Sequence, residues 1–311
     1  MLQVINKIKT KYNKLKFDKA ARRIRSTAPV DFKLNKEVVI VSQVYHNAVD
    51  MTLVALKSFL IHFGQGFVEL LDDGSLTPED YQLFKRHIPH LNITHINDIN
   101  LGNCPKGGCW ERLVHIVELS KHSYVIQVDT DTITVGPLIE LFDHFKANQA
   151  CTIGSPAWSS PIDVNYLATL LSTKNGQNVQ IQGEIALAQS QAIKLEKYCR
   201  GCAAFTGFPM GVLNFKDLEG FSMEMELALG KSKWHEWGSE QFASNVLISS
   251  CDNSVLLPWP KYQNYGFPRF TEKQKFHDFY GKVSVLHFIG SNRFVDSTYC
   301  QLTKKLISEL D

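Results

Sequence analysis

From residue 37 onward, short apolar runs alternate with segments of helical period. Val38-Val39-Ile40-Val41 is a continuous apolar run flanked by polar residues, which predicts a buried strand. After a polar break at residues 43–47, Leu53, Leu56 and Phe59 fall on one side of an amphipathic helix over residues 49–62. Val68-Glu69-Leu70-Leu71 predicts a second strand that runs into Asp72-Asp73-Gly74-Ser75. Thr77-Pro78-Glu79-Asp80 then carries the marks of a helix start: a capping threonine, proline at the first position and acids in the first turn. A helix fits residues 110–120. Tyr124-Val125-Ile126-Gln127-Val128 predicts a third strand, which ends at Asp129-Thr130-Asp131. Beyond residue 150 the order is less regular, with strands expected near 151–154, 211–215, 254–257 and 282–288 and a helical or loop-rich stretch over 161–200.

This alternation predicts an α/β fold, a mainly parallel, Rossmann-like sheet with helices on both faces. In such sheets ligands sit at the carboxyl ends of the strands, which is where the polar residues collect here. The chain divides into a basic helical arm over residues 1–35 and a single domain over 36–311, which falls into two halves, 36–150 and 151–311.

Charge changes the picture at one end only. Residues 1–30 hold nine Lys/Arg against one Asp, whereas the whole chain has a formal net charge of +2. That balance argues against a nucleic-acid partner. Ile5, Ile8, Tyr12 and Leu15 lie along one side of a basic amphipathic helix, which predicts either an anionic membrane surface as partner for residues 1–26 or an arm packed on the domain. With 44% hydrophobic and 21% charged residues, no apolar run of eighteen and no secretory signal pattern, the chain reads as a soluble globular protein. Seven cysteines, odd in number and scattered, suit reduced thiols and a cytoplasmic protein, peripheral on the inner membrane face if the arm binds lipid. Cys104-x4-Cys109 and Cys199-x-x-Cys202 would make a zinc site only if the two pairs met in space, and free thiols are the default reading.

The chemistry concentrates in a few places. Asp129 and Asp131, two apart at a strand end and expected to be exposed, can share one hard divalent cation such as Mn2+ or Mg2+. Such an ion neutralises the charge that builds on a departing diphosphate. Two acids at this spacing are common, and alone they read as a solvated turn. Arg112, in Trp110-Glu111-Arg112-Leu113, precedes that strand by one helix. Downstream, Leu286-His287-Phe288-Ile289-Gly290-Ser291-Asn292-Arg293-Phe294 offers an imidazole, a glycine and a guanidinium in order. His287 can complete a metal shell, Gly290 lets backbone approach phosphate, and Arg293 can pair with it.

An apolar strand, Asp-x-Asp and a distal His-Phe-x-Gly-x-x-basic segment together resemble the glycosyltransferase-A fold. The pattern is most similar to the group containing glycogenin and the bacterial lipopolysaccharide galactosyl- and glucosyltransferases. Arg112-Leu113, a Gly211-Val212-Leu213 strand and Ser239-Glu240-Gln241-x-x-x-Asn245 add to the resemblance, which spans residues 38–294. The chain departs from the group at Pro209, where asparagine is usual, at Glu240 in place of aspartate, and at Arg293-Phe294 in place of Lys-Pro.

The resemblance implies a hexosyltransferase that takes a UDP-sugar as donor and a carbohydrate or glycolipid as acceptor, with retention of anomeric configuration. It implies Asp129, Asp131 and His287 as metal ligands. Donor contacts would come from Gln43, Tyr45, Asp73, Arg112, Asp129, Thr130, Gly290 and Arg293, and Glu240 and Gln241 would lie near the reacting carbon. Trp234-His235-Glu236-Trp237 lines the acceptor site or packs as a core turn. Three other readings stand beside this one: an inverting enzyme with Glu240 as base, a non-catalytic sugar-nucleotide-binding protein and a sugar nucleotidyltransferase. The last needs a glycine-rich loop after the first strand, and residues 42–47 contain no glycine.

Overall fold

The computed structural model describes residues 2–267 and 281–311. The chain opens with α1 (Leu2–Ala21), β1 (Lys33–Val44), α2 (Val49–Phe63), β2 (Gln65–Asp72), α3 (Pro78–His87), β3 (Leu91–His95), α4 (Trp110–Leu119) and β4 (Tyr124–Val128). It continues through β5 (Thr132–Thr134), α5 (Ile139–Lys146), β6 (Cys151–Ile153), β7 (Ile162–Asp163), α6 (Val164–Ser172), α7 (Val179–Ala186), β8 (Lys197–Tyr198) and β9 (Cys202–Phe208). The last part holds α8 (Phe215–Leu229), α9 (Lys231–Trp234), α10 (Ser239–Ser249), β10 (Val255–Leu257), β11 (Tyr262–Asn264), β12 (Val285–His287) and α11 (Thr298–Leu310).

The described residues form a seven-stranded sheet in the order β10-β6-β9-β4-β1-β2-β3. β1 pairs in parallel with both β2 and β4, and β9 runs antiparallel between β4 and β6. Alternation along β1 sends Val38 and Ile40 into one core with α1, α2 and α11, while Val39 and Val41 enter a second core with α4, α8 and α10. Both faces are therefore apolar and covered, which is why the strand reads as a continuous run. The mainly parallel sheet with helices on both faces is as the sequence pattern predicts. Thr77 caps α3, accepting from Asp80 N while the Asp80 carboxylate accepts from Thr77 N.

One expected strand is displaced. Residues 211–215 are not a strand: Gly211 turns the chain at φ 76°, Val212 is exposed, and α8 begins at Phe215. The strand lies earlier, at Cys202–Phe208, every residue of it buried. Small and polar residues disguise it, because Gly207 sits against the Tyr124 ring and hydroxyl where a larger residue has no room.

The N-terminal helix packs on the domain through a face other than its apolar stripe. Asn13, Phe17, Ala20 and Ala21 are buried, and Phe17 lies 4.2 Å from the Tyr299 ring of α11 and 5.4 Å from Phe294. Ile8, Tyr12 and Leu15 face outward, each more than half exposed. Among the described residues no helix is long and apolar enough to cross a membrane.

Candidate active site

A cleft of about 820 Å³ opens at the carboxyl ends of β1 and β4. One small sheet decides what meets there. β12 pairs antiparallel with β5, His287 opposite Thr132, and Phe288 N donates to Asp131 O at 2.9 Å. β11 flanks β12 on its other side, with Asn264 beside His287. This register carries residue 287 onto the turn that follows β4. Ligand atoms of Asp129, Asp131 and His287 lie within 4.8 Å of one another, the one such cluster of three or more among the described residues. The four cysteines 104, 109, 199 and 202 form no metal cluster there, and all seven thiols are free.

The donor set fits a divalent cation. Two carboxylates and one imidazole suit Mn2+ or Mg2+ charge and hardness, the nitrogen favouring the softer Mn2+. The His287 ring is also set for it. Its Nδ1–H donates to Asn264 Oδ1 at 2.7 Å, leaving Nε2 toward Asp131 Oδ1 at 3.4 Å. Asp131 is buried rather than exposed as expected, while Asp129 remains partly open. Burial pushes the Asp131 carboxyl up, but His287 and Arg293 outweigh it and hold it at about 2. For His287, burial opposes the charge and Asp131, then Cys202, raise the imidazole well above its usual value.

Two arginines serve the two acids. Arg112, from the first turn of α4, donates through Nη1 to Asp129 Oδ1 at 2.6 Å and through Nη2 to Glu240 Oε1 at 3.2 Å. Arg293 donates to Asp131 Oδ2 and to Phe288 O. Burial works against the charge of Arg112, but Asp129, Cys109 and Glu240 more than compensate. Glu240 is the second residue of α10, and the preceding Gly238, at φ 102°, turns the chain into the helix. Burial pushes its carboxyl up, Arg112 pulls it back and Asp129 adds to the rise, leaving it at about 7.

Gln43, Tyr45, Asp73, Arg112, Asp129, Thr130, Asp131, Glu240, Gln241, His287, Gly290 and Arg293 all line this one cleft. At its β1 end, Gln43 Oε1 is a buried acceptor with no hydrogen-bond partner among the described residues. Asp73 is exposed, and one of its oxygens accepts from Ser75 N and Oγ. Asp72-Asp73-Gly74-Ser75 is thus an ordinary Asx turn and a cleft wall at once. The Trp234 segment also divides: Trp234 is wholly buried beside Trp110, and Trp237 is 83% exposed at the cleft.

Sequence reasoning missed Asn264, Trp158, Gln180, Glu184 and Arg200, and it singled out Cys202 only as a possible zinc-site cysteine. Cys202 Sγ lies 3.5 Å from His287 Nδ1 and 3.8 Å from Gln241 Oε1. Only for Asn264 did a signal exist, a polar residue at the end of a short strand, like His287 itself.

No protein-family model and no curated protein matches this chain. Solved structures do. The apo structure of the bifunctional glycosyltransferase WbbM superimposes with a TM-score of 0.51 at 14% identity, covering 88% of this chain. This chain spans 50% of the WbbM chain. The galactosyltransferase LgtC, in complex with donor and acceptor sugar analogues, gives a TM-score of 0.51 at 12% identity over 88% of this chain and 96% of that one. The likeness establishes the architecture: this chain has a glycosyltransferase-A-like fold.

Proposed function

We propose that this protein is a metal-dependent glycosyltransferase that moves a hexose from a UDP-sugar to a carbohydrate or glycolipid acceptor with retention of configuration. The observation that carries the reading is the convergence of Asp129, Asp131 and His287 in a cleft at the strand ends of this fold. A divalent cation held by these three residues would neutralise charge on the diphosphate.

The remaining work falls to the chain's own groups. Tyr45 offers a stacking face to the base, and the unpartnered Gln43 Oε1 and the exposed Asp73 carboxylate suit the N–H of uracil or the ribose hydroxyls. Gly290 and Arg293 bind the diphosphate, and Arg112, fixed between Asp129 and Glu240, orients the donor sugar. The bond from the anomeric carbon to the diphosphate breaks while the acceptor oxygen attacks the same face. The acceptor proton passes to the departing oxygen. Gln241 stabilises the positive charge that develops on the sugar. Its amide is held in place by donating to Gln180 Oε1 at 3.0 Å.

The test is UDP release from UDP-glucose, UDP-galactose and UDP-N-acetylglucosamine with Mn2+, with and without chelator. Release that depends on Mn2+ is expected; release unchanged by chelator would refute the metal assignment. Product anomer analysis by NMR tests retention, and an inverted product would transfer the role of base to Glu240.

Membrane association is part of the same proposal. Ile8, Tyr12 and Leu15 stand outward among exposed Lys7, Lys9, Lys11, Lys14, Lys16 and Lys19, which suits an anionic bilayer surface. Replacing the three apolar residues by serine should abolish sedimentation with phosphatidylserine vesicles. Unaltered sedimentation would exclude this face.

A further inference from the structure

One basic side chain in the cleft is built into place and has no part in the chemistry above. Arg200 lies just before β9 and lines the cleft. Its guanidinium sits 5.0 Å from the centre of the Trp158 ring. Its Nε donates to both oxygens of Glu184 at 2.9 and 3.0 Å. Glu184 is wholly buried and also accepts from Gln180 Nε2 at 2.9 Å and from Tyr198 Oη at 3.3 Å. A carboxylate buried under three donor groups costs desolvation, and its return is a guanidinium locked in one orientation. The Nη edge makes no hydrogen bond to the described residues, and the side chain keeps 21% of its exposure.

The network reaches the reacting end of the cleft. Gln241 donates to Gln180, Gln180 to Glu184, and Arg200 to Glu184, so one chain of hydrogen bonds joins Arg200 to Gln241. Trp158, Gln180 and Trp237 line the cleft on this side, whereas Gln43, Tyr45 and Asp73 line it at the β1 end.

We infer that the free edge of Arg200, backed by Trp158 and anchored on Glu184, is a subsite for an anionic substituent, carboxylate or phosphate, on the acceptor. This rests on the glycosyltransferase reading for the word acceptor, and it narrows the acceptor class to acidic sugars. A planar fork with one edge occupied offers the other for bidentate pairing with such a group. A purely structural arginine accounts for the Nε bonds and the ring contact but not for an unpaired edge in the cleft.

The experiment measures binding of methyl glucuronide against methyl glucoside, and of glucose 6-phosphate against glucose, by saturation-transfer NMR with the full chain. Each is run with and without UDP and Mn2+. At least about tenfold tighter binding of the acidic member is expected in one pair or both, and the pair that shows it identifies carboxylate or phosphate. The preference should vanish in the Arg200→Gln, Glu184→Gln double variant, which leaves no lone buried charge. It should weaken in Arg200→Lys, which keeps Glu184 paired and guards against a folding failure. UDP affinity in the presence of Mn2+ should be unchanged in both variants. Equal binding of acidic and neutral sugars, or a preference that survives both variants, would overturn the inference while leaving Mn2+-dependent UDP binding intact. An Arg200-dependent preference for UDP-glucuronate over UDP-glucose would overturn the acceptor assignment in favour of the donor. Absence of UDP binding with Mn2+ would instead overturn the transferase reading itself.

Discussion

Glu240→Gln offers a quantitative test of how the cleft is charged. The residue is 5% exposed at the start of α10, with Oε1 bonded to Arg112. Its carboxyl rises from the usual 4.5 to about 7 because burial dominates and Asp129 adds to it against the pull of Arg112. The folded protein therefore holds this proton more tightly than the unfolded chain does. The stability it contributes is complete below pH 4.5 and is lost as pH rises toward 7. At about 1.4 kcal/mol per tenfold change in proton affinity, the whole loss is about 3 kcal/mol. Glutamine keeps the shape of the protonated acid and does not titrate. Thermal unfolding in chelator should place the two proteins within about 1 kcal/mol at pH 5. By pH 8 the variant should be the more stable by about 3 kcal/mol, on the order of 5 °C or more in midpoint. An offset that stays constant from pH 5 to 8, or a wild type that gains on the variant with pH, would refute the reasoning.

Three further outcomes follow from the packing. Asp131→Ala should abolish Mn2+ binding followed by electron paramagnetic resonance and Mn2+-dependent UDP release. It should also lower stability by about 3 kcal/mol, because it leaves His287 and Arg293 without their shared acid. Phe17→Ala should cost about 3–5 kcal/mol in denaturant unfolding, since the ring is buried between Tyr299 and Phe294. It should also weaken UDP binding, because α1 supports the segment that carries Arg293: Asn13 Nδ2 donates to Phe294 O at 3.0 Å. Gly207→Ala should destabilise by about 1–3 kcal/mol on thermal unfolding, its new methyl falling 2.2 Å from Tyr124 Oη and 2.9 Å from Cys151 Sγ.

The apolar runs at 38–41, 68–71 and 124–128 and the capping signals at Thr77 were legible because each is a local property. A strand buried on both faces must be apolar throughout, and a helix start must satisfy its own free N–H groups. The same local logic named Asp129 and Asp131, at the end of the clearest strand. Local logic failed at Cys202–Phe208, where neighbours on both sides demand small residues. It also left open whether the stripe of Ile8, Tyr12 and Leu15 meets a membrane or the domain, and the body is met instead by Asn13, Phe17 and Ala20. Only tertiary structure decided that residue 287 meets residues 129 and 131, through the antiparallel register of β12 on β5. The placement of Arg200 on Glu184 and Trp158 likewise depends on segments far apart in the chain. A single sequence records which side chains are available. Contacts across more than a hundred residues are set by how buried surfaces and backbone hydrogen bonds are shared among all the elements at once.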